Sequence, residues 1–218
     1  MITGRLILVR HGQTQGNVER RLDTRLPGSP LTETGHAQAR ELGERLRWEK
    51  PVALISSAAL RARQTAQDTG LTVEHQVIDG LHEVQAGDFE NRNDHLAHDA
   101  FHATCTAWHL GDLDRRVPGG ESGREVLERF VPVIESLRTR YLDNNAQNTV
   151  VVIAHGAAIR FVGAQLADVP AQFAMASILK NTETVELGAN DDGSWHCLRW
   201  GALLPPFGSA SLADDPMG

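Results

Sequence analysis

Leu6-Ile7-Leu8-Val9-Arg10-His11-Gly12 is a short apolar run ending in a histidine and a glycine, and Val150-Val151-Val152-Ile153-Ala154-His155-Gly156 repeats that arrangement far along the chain. Runs that are apolar at nearly every position are expected of strands buried on both faces of a parallel sheet. Val52 to Ser56 is a third β-rich run. Helical patterns alternate with these strands. Gly35 to Trp48 carries apolar or small residues at Ala39, Leu42, Gly43 and Leu46, Leu60 to Thr69 follows the second strand, and Ala157 to Ala167 follows the third. The alternation predicts a three-layer α/β/α fold, with helices on both faces of a mostly parallel central sheet.

Further out, Glu121 to Tyr141 reads as a helix with Val126, Phe130, Val133, Ile134 and Leu137 on one side and an expected irregularity at Pro132. Thr182 to Leu187 and Trp195 to Trp200 flank the turn signal Asn190-Asp191-Asp192-Gly193 and read as a hairpin. Residues 91–119 lose the alternation and read as a small insertion over the sheet. From Leu203 the composition turns to Pro, Ser, Ala, Asp and Gly, which buries little surface. The expected organisation is one domain over residues 1–202 and an extended tail over residues 203–218.

The net charge of -7 argues against a nucleic-acid partner, which needs a basic face. It also means that cations serving an anionic ligand must be gathered in one pocket. No apolar stretch approaches the ~20 residues of a membrane span. Met1 leads directly into a strand without a signal-peptide core, and Cys105 and Cys197 have no partner at disulfide-framework or zinc spacing. A cytoplasmic protein without membrane partners is the expectation.

A histidine at a strand end can simply cap a loop. Two in the same context shift the balance toward a ligand site, because ligands of open α/β sheets bind beyond the carboxyl ends of the strands, and the following glycine lets backbone N–H groups approach an anion. Arg10-His11-Gly12-Gln13-Thr14 with Asn17, then Leu31-Thr32-Glu33-Thr34-Gly35-His36-Ala37-Gln38-Ala39, resembles the histidine phosphatase superfamily, the phosphoglycerate mutase-like family. The resemblance continues in order through Ser56-Ser57, Leu60-Arg61-Ala62-Arg63-Gln64-Thr65-Ala66, Leu81-His82-Glu83 with Gly87 and Phe89-Glu90, Gly120-Glu121-Ser122 with Arg129, and Ala154-His155-Gly156. Asn91 stands where glycine is common in the family, which leaves the local turn open.

The resemblance implies that His11 is a nucleophile, that Arg10 and Arg61 hold phosphate with His155, Gly156 and Asn17, and that Glu83 is the proton donor. Gln13 and Thr14 are further candidates for substrate contact. The chemistry suits these residue types. Forked guanidinium groups neutralise a phosphomonoester dianion, and their charge keeps the nearby imidazole neutral and nucleophilic. The leaving alkoxide needs a proton from a carboxyl group. No metal or other cofactor is implied. Taken alone, Arg61 reads equally well as a helix-surface residue and Glu83 as an ion-pair partner. Glu121 and Ser122 read as a helix cap, and Glu90 as a structural partner.

Phosphatase and mutase share all of these residues. Gln13-Thr14 after Arg-His-Gly, a short insertion, and a tail with no Lys or Arg after Arg199 favour a phosphatase acting on a small phosphomonoester; a cofactor-dependent phosphoglycerate mutase is the alternative. A non-catalytic binding protein on the same fold is the remote one. In the insertion, His95, His98, His102 and His109 fall on one face of a helix. A solvated or substrate-facing helix is preferred to a metal site there. Arg115 and Arg116 are candidates to meet a second anionic group of the substrate or to lie on the surface. The resemblance also raises a homodimer through an edge strand.

Overall fold

The computed structural model describes residues 1–143 and 145–208. Six strands form one sheet in the order β3-β2-β4-β1-β5-β6, with β1 at Ile2–Arg10, β2 at Ala53–Ser56, β3 at His75–Val77, β4 at Thr149–Ala154, β5 at Thr184–Asn190 and β6 at Trp195–Trp200. Strands β1 to β4 are mutually parallel, β5 runs antiparallel to β1, and β6 runs antiparallel to β5. The sheet is mixed and mostly parallel, as the apolar runs predicted.

Helices cover both faces because each central strand is apolar on both. Ile7, Val9, Leu54, Val151 and Ile153 point to one face and pack with Leu42 and Leu46 of α2 (Glu33–Leu46) and Ala62 and Ala66 of α3 (Leu60–Asp68). Leu6, Leu8, Ile55, Val150 and Val152 point to the other. They meet α4 (His95–His109), α5 (Gly123–Tyr141), α6 (Gly156–Leu166) and α7 (Ala171–Ala176); α1 is the short turn Gln15–Val18 beside β1. Each of these large aliphatic side chains contributes about 1.5–3 kcal/mol when fully buried.

The elements depart from the sequence expectations in instructive places. Helix α5 runs unbroken through Pro132, which lies on the exposed side, where the carbonyl it leaves without an N–H partner can meet solvent. Ser122 caps it in a capping box with Glu125, as its position suggested. The first hairpin strand begins at Thr184 instead of Thr182, because Thr182 has φ +62° and turns the chain. Strand β3 is short and polar enough that no pattern announced it. The expected insertion carries α4, and Asn91 adopts φ +63°, the left-handed region that asparagine tolerates and glycine favours. Of the expected tail, Phe207 stacks on Phe173 with ring centroids 4.5 Å apart, and residues 209–218 lie outside the described residues. Among the described residues no helix is long and apolar enough to cross a membrane.

Candidate active site

Strands β1 and β4 pair in register with Arg10 opposite Ala154, so His11 and His155 emerge side by side one residue beyond the carboxyl ends of neighbouring strands. Their ring centroids are 5.3 Å apart. β1 is followed by a helix on one face of the sheet and β4 by α6 on the other, which makes this the crevice where such folds bind ligands.

His11 is 4% exposed. Its Nδ1 lies 2.7 Å from the Gly12 carbonyl oxygen, which can only accept, and its Nε2 lies 3.1 Å from Arg61 Nε, which can only donate. Together these contacts put the proton on Nδ1 and a lone pair on Nε2. Burial, and then the charges of Arg61 and Arg10, hold the His11 pKa well below the usual imidazole range, so the ring is neutral. The Gly12 N–H donates to Thr65 Oγ1 at 3.0 Å. A Cβ on Gly12 would lie 2.6 Å from the Gly35 carbonyl oxygen, so glycine is required for this loop to press against α2.

His155 precedes α6 and is fully buried, with Nε2 2.9 Å from Ser57 Oγ. Burial, and then Arg61 and His11, lower its pKa well below the usual value. A Cβ on Gly156 would come within 3.3 Å of Arg10 Cδ and Nε, so the glycine lets that side chain lie against the helix start. Arg10 Nη1 donates to the Leu179 carbonyl at 2.6 Å. Arg10 Nε, Arg61 Nη1 and His155 Nδ1 are buried with no hydrogen-bond partner among the described residues. Each such atom costs about 1–3 kcal/mol while it stays unpaired.

Glu83 closes the crevice from the β3–α4 connection. Its Oε1 accepts the N–H groups of Val84 and Ala158, both at 2.9 Å, and its Oε2 accepts that of Ala157 at 3.1 Å. The carboxylate therefore caps the N-terminus of α6, where the dipole favours a negative charge. Arg129 holds the backbone around it, donating to the Gly80, His82 and Glu83 carbonyls and to both Glu121 oxygens. Burial opposes the Glu121 charge, yet His82, 3.7 Å away, and the two hydrogen bonds from Arg129 bring its pKa to about 2. Glu90 takes the Thr24 and Arg25 N–H groups and the Thr24 hydroxyl. Glu90 is a structural partner, as the sequence suggested, whereas Glu121, expected as part of the α5 cap, binds Arg129 and the Gln85 N–H and leaves the cap to Ser122 and Glu125.

Arg10, His11, Thr14, Asn17, Arg61 and Glu83 line a common cavity of about 100 Å³. Thr14 and Asn17 form a capping box on α1, and Asn17 Oδ1 also accepts from Asn181 Nδ2 at 3.2 Å. Gln13 faces elsewhere: its side-chain oxygen accepts from Thr32 at 2.9 Å. Arg115 and Arg116 are exposed and line neither this cavity nor the larger one beside it. Arg116 forks onto Glu125 with two bonds of 2.6 Å.

The larger neighbour, about 630 Å³, shares Arg10 as a wall and is roofed by His95, His98, His102 and His109 of α4, with Arg160 of α6 opposite. Among the described residues, no three His, Cys, Asp or Glu side chains converge as a metal site would require. Sequence reasoning missed Arg160 and Asn181. Arg160 had a signal, being the one charged residue in the otherwise apolar or neutral Gly156–Leu166. Asn181 had none, since its contact with the His11 carbonyl at 3.0 Å joins residues remote in sequence.

Residues 6–203 match the model of the histidine phosphatase superfamily (branch 1). The chain is 32% identical over 224 residues to glucosyl-3-phosphoglycerate phosphatase of Mycolicibacterium vanbaalenii, covering 97% of each protein. It is also 32% identical over 215 residues to the probable phosphoglycerate mutase GpmB of Klebsiella pneumoniae, covering 96% of this chain and 94% of that one. Among solved structures, a mycobacterial glucosyl-3-phosphoglycerate phosphatase in complex with VO3 superposes with a TM-score of 0.78 at 28% identity, covering 92% of this chain and 100% of the other.

Proposed function

Since the chain belongs to the histidine phosphatase superfamily, branch 1, we propose that it hydrolyses a small phosphomonoester by way of a phosphohistidine on Nε2 of His11. The observation that carries this reading is the fixed tautomer of a neutral, buried imidazole: Nδ1–H is tied to the Gly12 carbonyl, and the Nε2 lone pair sits among cations.

The phosphoryl group enters the 100 Å³ cavity with equatorial oxygens facing Arg10 and Arg61, which line it and whose orphaned N atoms then find acceptors, while the buried His155 stands behind with its ring centroid 5.3 Å from that of His11. Arg61 Nε turns from His11 to a phosphate oxygen and frees the lone pair. Nε2 attacks phosphorus in line, the P–O bond to the alcohol breaks, and the leaving oxygen takes a proton from Glu83. For that step Glu83 must bind a proton and release at least one α6 N–H, since both of its oxygens accept backbone bonds at rest. Water then attacks the phosphorus and gives its proton to Glu83, the N–P bond breaks, and inorganic phosphate leaves. The relative solved with VO3 supports an oxyanion site in this fold.

Trapping tests the reading. Acid quench with phosphoryl-labelled substrate should leave acid-labile, base-stable label on His11, absent in His11→Ala, and phosphate release should equal substrate consumed. Label on serine or aspartate would sink the nucleophile assignment. A mutase would convert 3-phosphoglycerate to 2-phosphoglycerate faster than it releases phosphate and would depend on added 2,3-bisphosphoglycerate.

A further inference from the structure

The pairing of β1 with the chain that leads into β5 ends at Arg10. Its N–H donates to the Glu183 carbonyl at 3.0 Å, and its carbonyl accepts the Thr182 N–H at 2.9 Å. Thr182 then turns the chain with φ +62°, a left-handed conformation that a β-branched residue holds only where its surroundings impose it. Arg45 is one such constraint, donating from Nη2 to the Thr182 carbonyl at 3.0 Å. In this strained turn the side chain of the neighbouring Asn181 reaches the His11 carbonyl.

Backbone partners decide which end of each nearby amide is which. The His11 carbonyl can only accept, so the Asn181 atom 3.0 Å from it is Nδ2; the Thr14 N–H can only donate, so the Asn17 atom 3.1 Å from it is Oδ1. The second N–H of Asn181 goes to that same Asn17 oxygen at 3.2 Å. Asn17 Oδ1 thus holds two donors, while the Asn17 NH2 makes no hydrogen bond among the described residues. Asn17 lines the 100 Å³ cavity together with Arg10, His11 and Arg61. Its donor end is the one left for a phosphoryl oxygen, in the same wall as the two guanidinium groups.

We propose that Asn181, anchored on the His11 carbonyl, is a positioning residue of the phosphoryl site: it orients the Asn17 amide so that the NH2 meets a phosphoryl oxygen. Asn181 itself lines a different cavity, of about 580 Å³, and not the one that holds the phosphoryl group, so it acts through Asn17. The proposal rests on the phosphatase reading above.

A double-mutant cycle tests it with the purified full chain, using inorganic phosphate as a competitive inhibitor of nitrophenyl phosphate hydrolysis. Asn17→Ala removes one hydrogen bond to an anion and should raise the phosphate Ki roughly tenfold or more. Asn181→Ala should raise it roughly three- to tenfold with Asn17 in place but by less than about twofold in the Asn17→Ala background, where no amide is left to orient. An Asn17→Ala Ki within about twofold of wild type would overturn the proposal whether or not the Asn181 variants fold. No rise in Asn181→Ala would also overturn it, as would a rise by the same factor in both backgrounds, which is what a merely structural role gives. Asn181→Ser, a residue suited to a turn whose hydroxyl is too short to reach Asn17, supplies the same two readings if the alanine variant does not fold. Nitrophenyl phosphate hydrolysis with equal factors in the two backgrounds removes only the role of Asn181, whereas no phosphate release from any substrate by the wild-type chain removes the phosphatase reading as well.

Discussion

Replacing Glu83 by Gln separates two functions that the structure gives to one carboxylate. As a cap, Glu83 accepts N–H groups from Val84, Ala157 and Ala158. The amide keeps one oxygen and places an NH2 where an acceptor is needed, so at least one charge-assisted bond at the start of α6 is lost. Such a bond contributes about 1.5–3 kcal/mol. At ~2–4 °C per kcal/mol for a chain of this size, the thermal midpoint should fall by roughly 3–12 °C. That loss, and any shift of His155 and Gly156 that follows it, acts on every substrate alike. As a general acid, Glu83 matters only where the leaving group needs a proton. Its removal should therefore cut kcat/KM for an alkyl phosphate by about 10²–10⁴ more than for nitrophenyl phosphate. The assay is the ratio of the two kcat/KM values in wild type and variant, measured below the variant's melting transition. Equal losses on both substrates would refute the acid role and leave Glu83 a helix cap.

Other outcomes follow from the same geometry. His11 and His155 have pKa values well below the ~6.5 of an unfolded chain. Between those values the unfolded state binds protons that the native state does not, so stability rises with pH and is lost as pH falls below ~6.5. The thermal midpoint should be lower at pH 5 than at pH 7, and His155→Asn should flatten that slope; a midpoint that stays level over this range in the wild-type chain would contradict the buried neutral imidazoles. EDTA should leave phosphate release unchanged, because two arginines and two histidines already supply the positive charge that metal ions supply elsewhere. Activity lost on chelation and restored by zinc or manganese would bring His95, His98 and His102 forward as ligands.

The layered fold was legible because the strands buried on both faces are apolar at nearly every position and the helices carry their own periodicity; these are local properties of the chain. Arg10, His11 and His155 were legible for the same reason, since a residue just past a strand's last apolar position has its place fixed by the strand. Short polar β3 escaped because its place depends on pairing with β2 and not on its own composition. Only the tertiary structure decided the rest. The tautomer of His11 depends on Arg61, 50 residues away; the hold on Glu83 depends on α6, 74 and 75 residues away; and Arg160 lines the larger cavity beside the site because α4 and α6 pack over the same face of the sheet. A sequence states which side chains carry charge, but the direction in which a helix points each one is set by packing against neighbours distant along the chain.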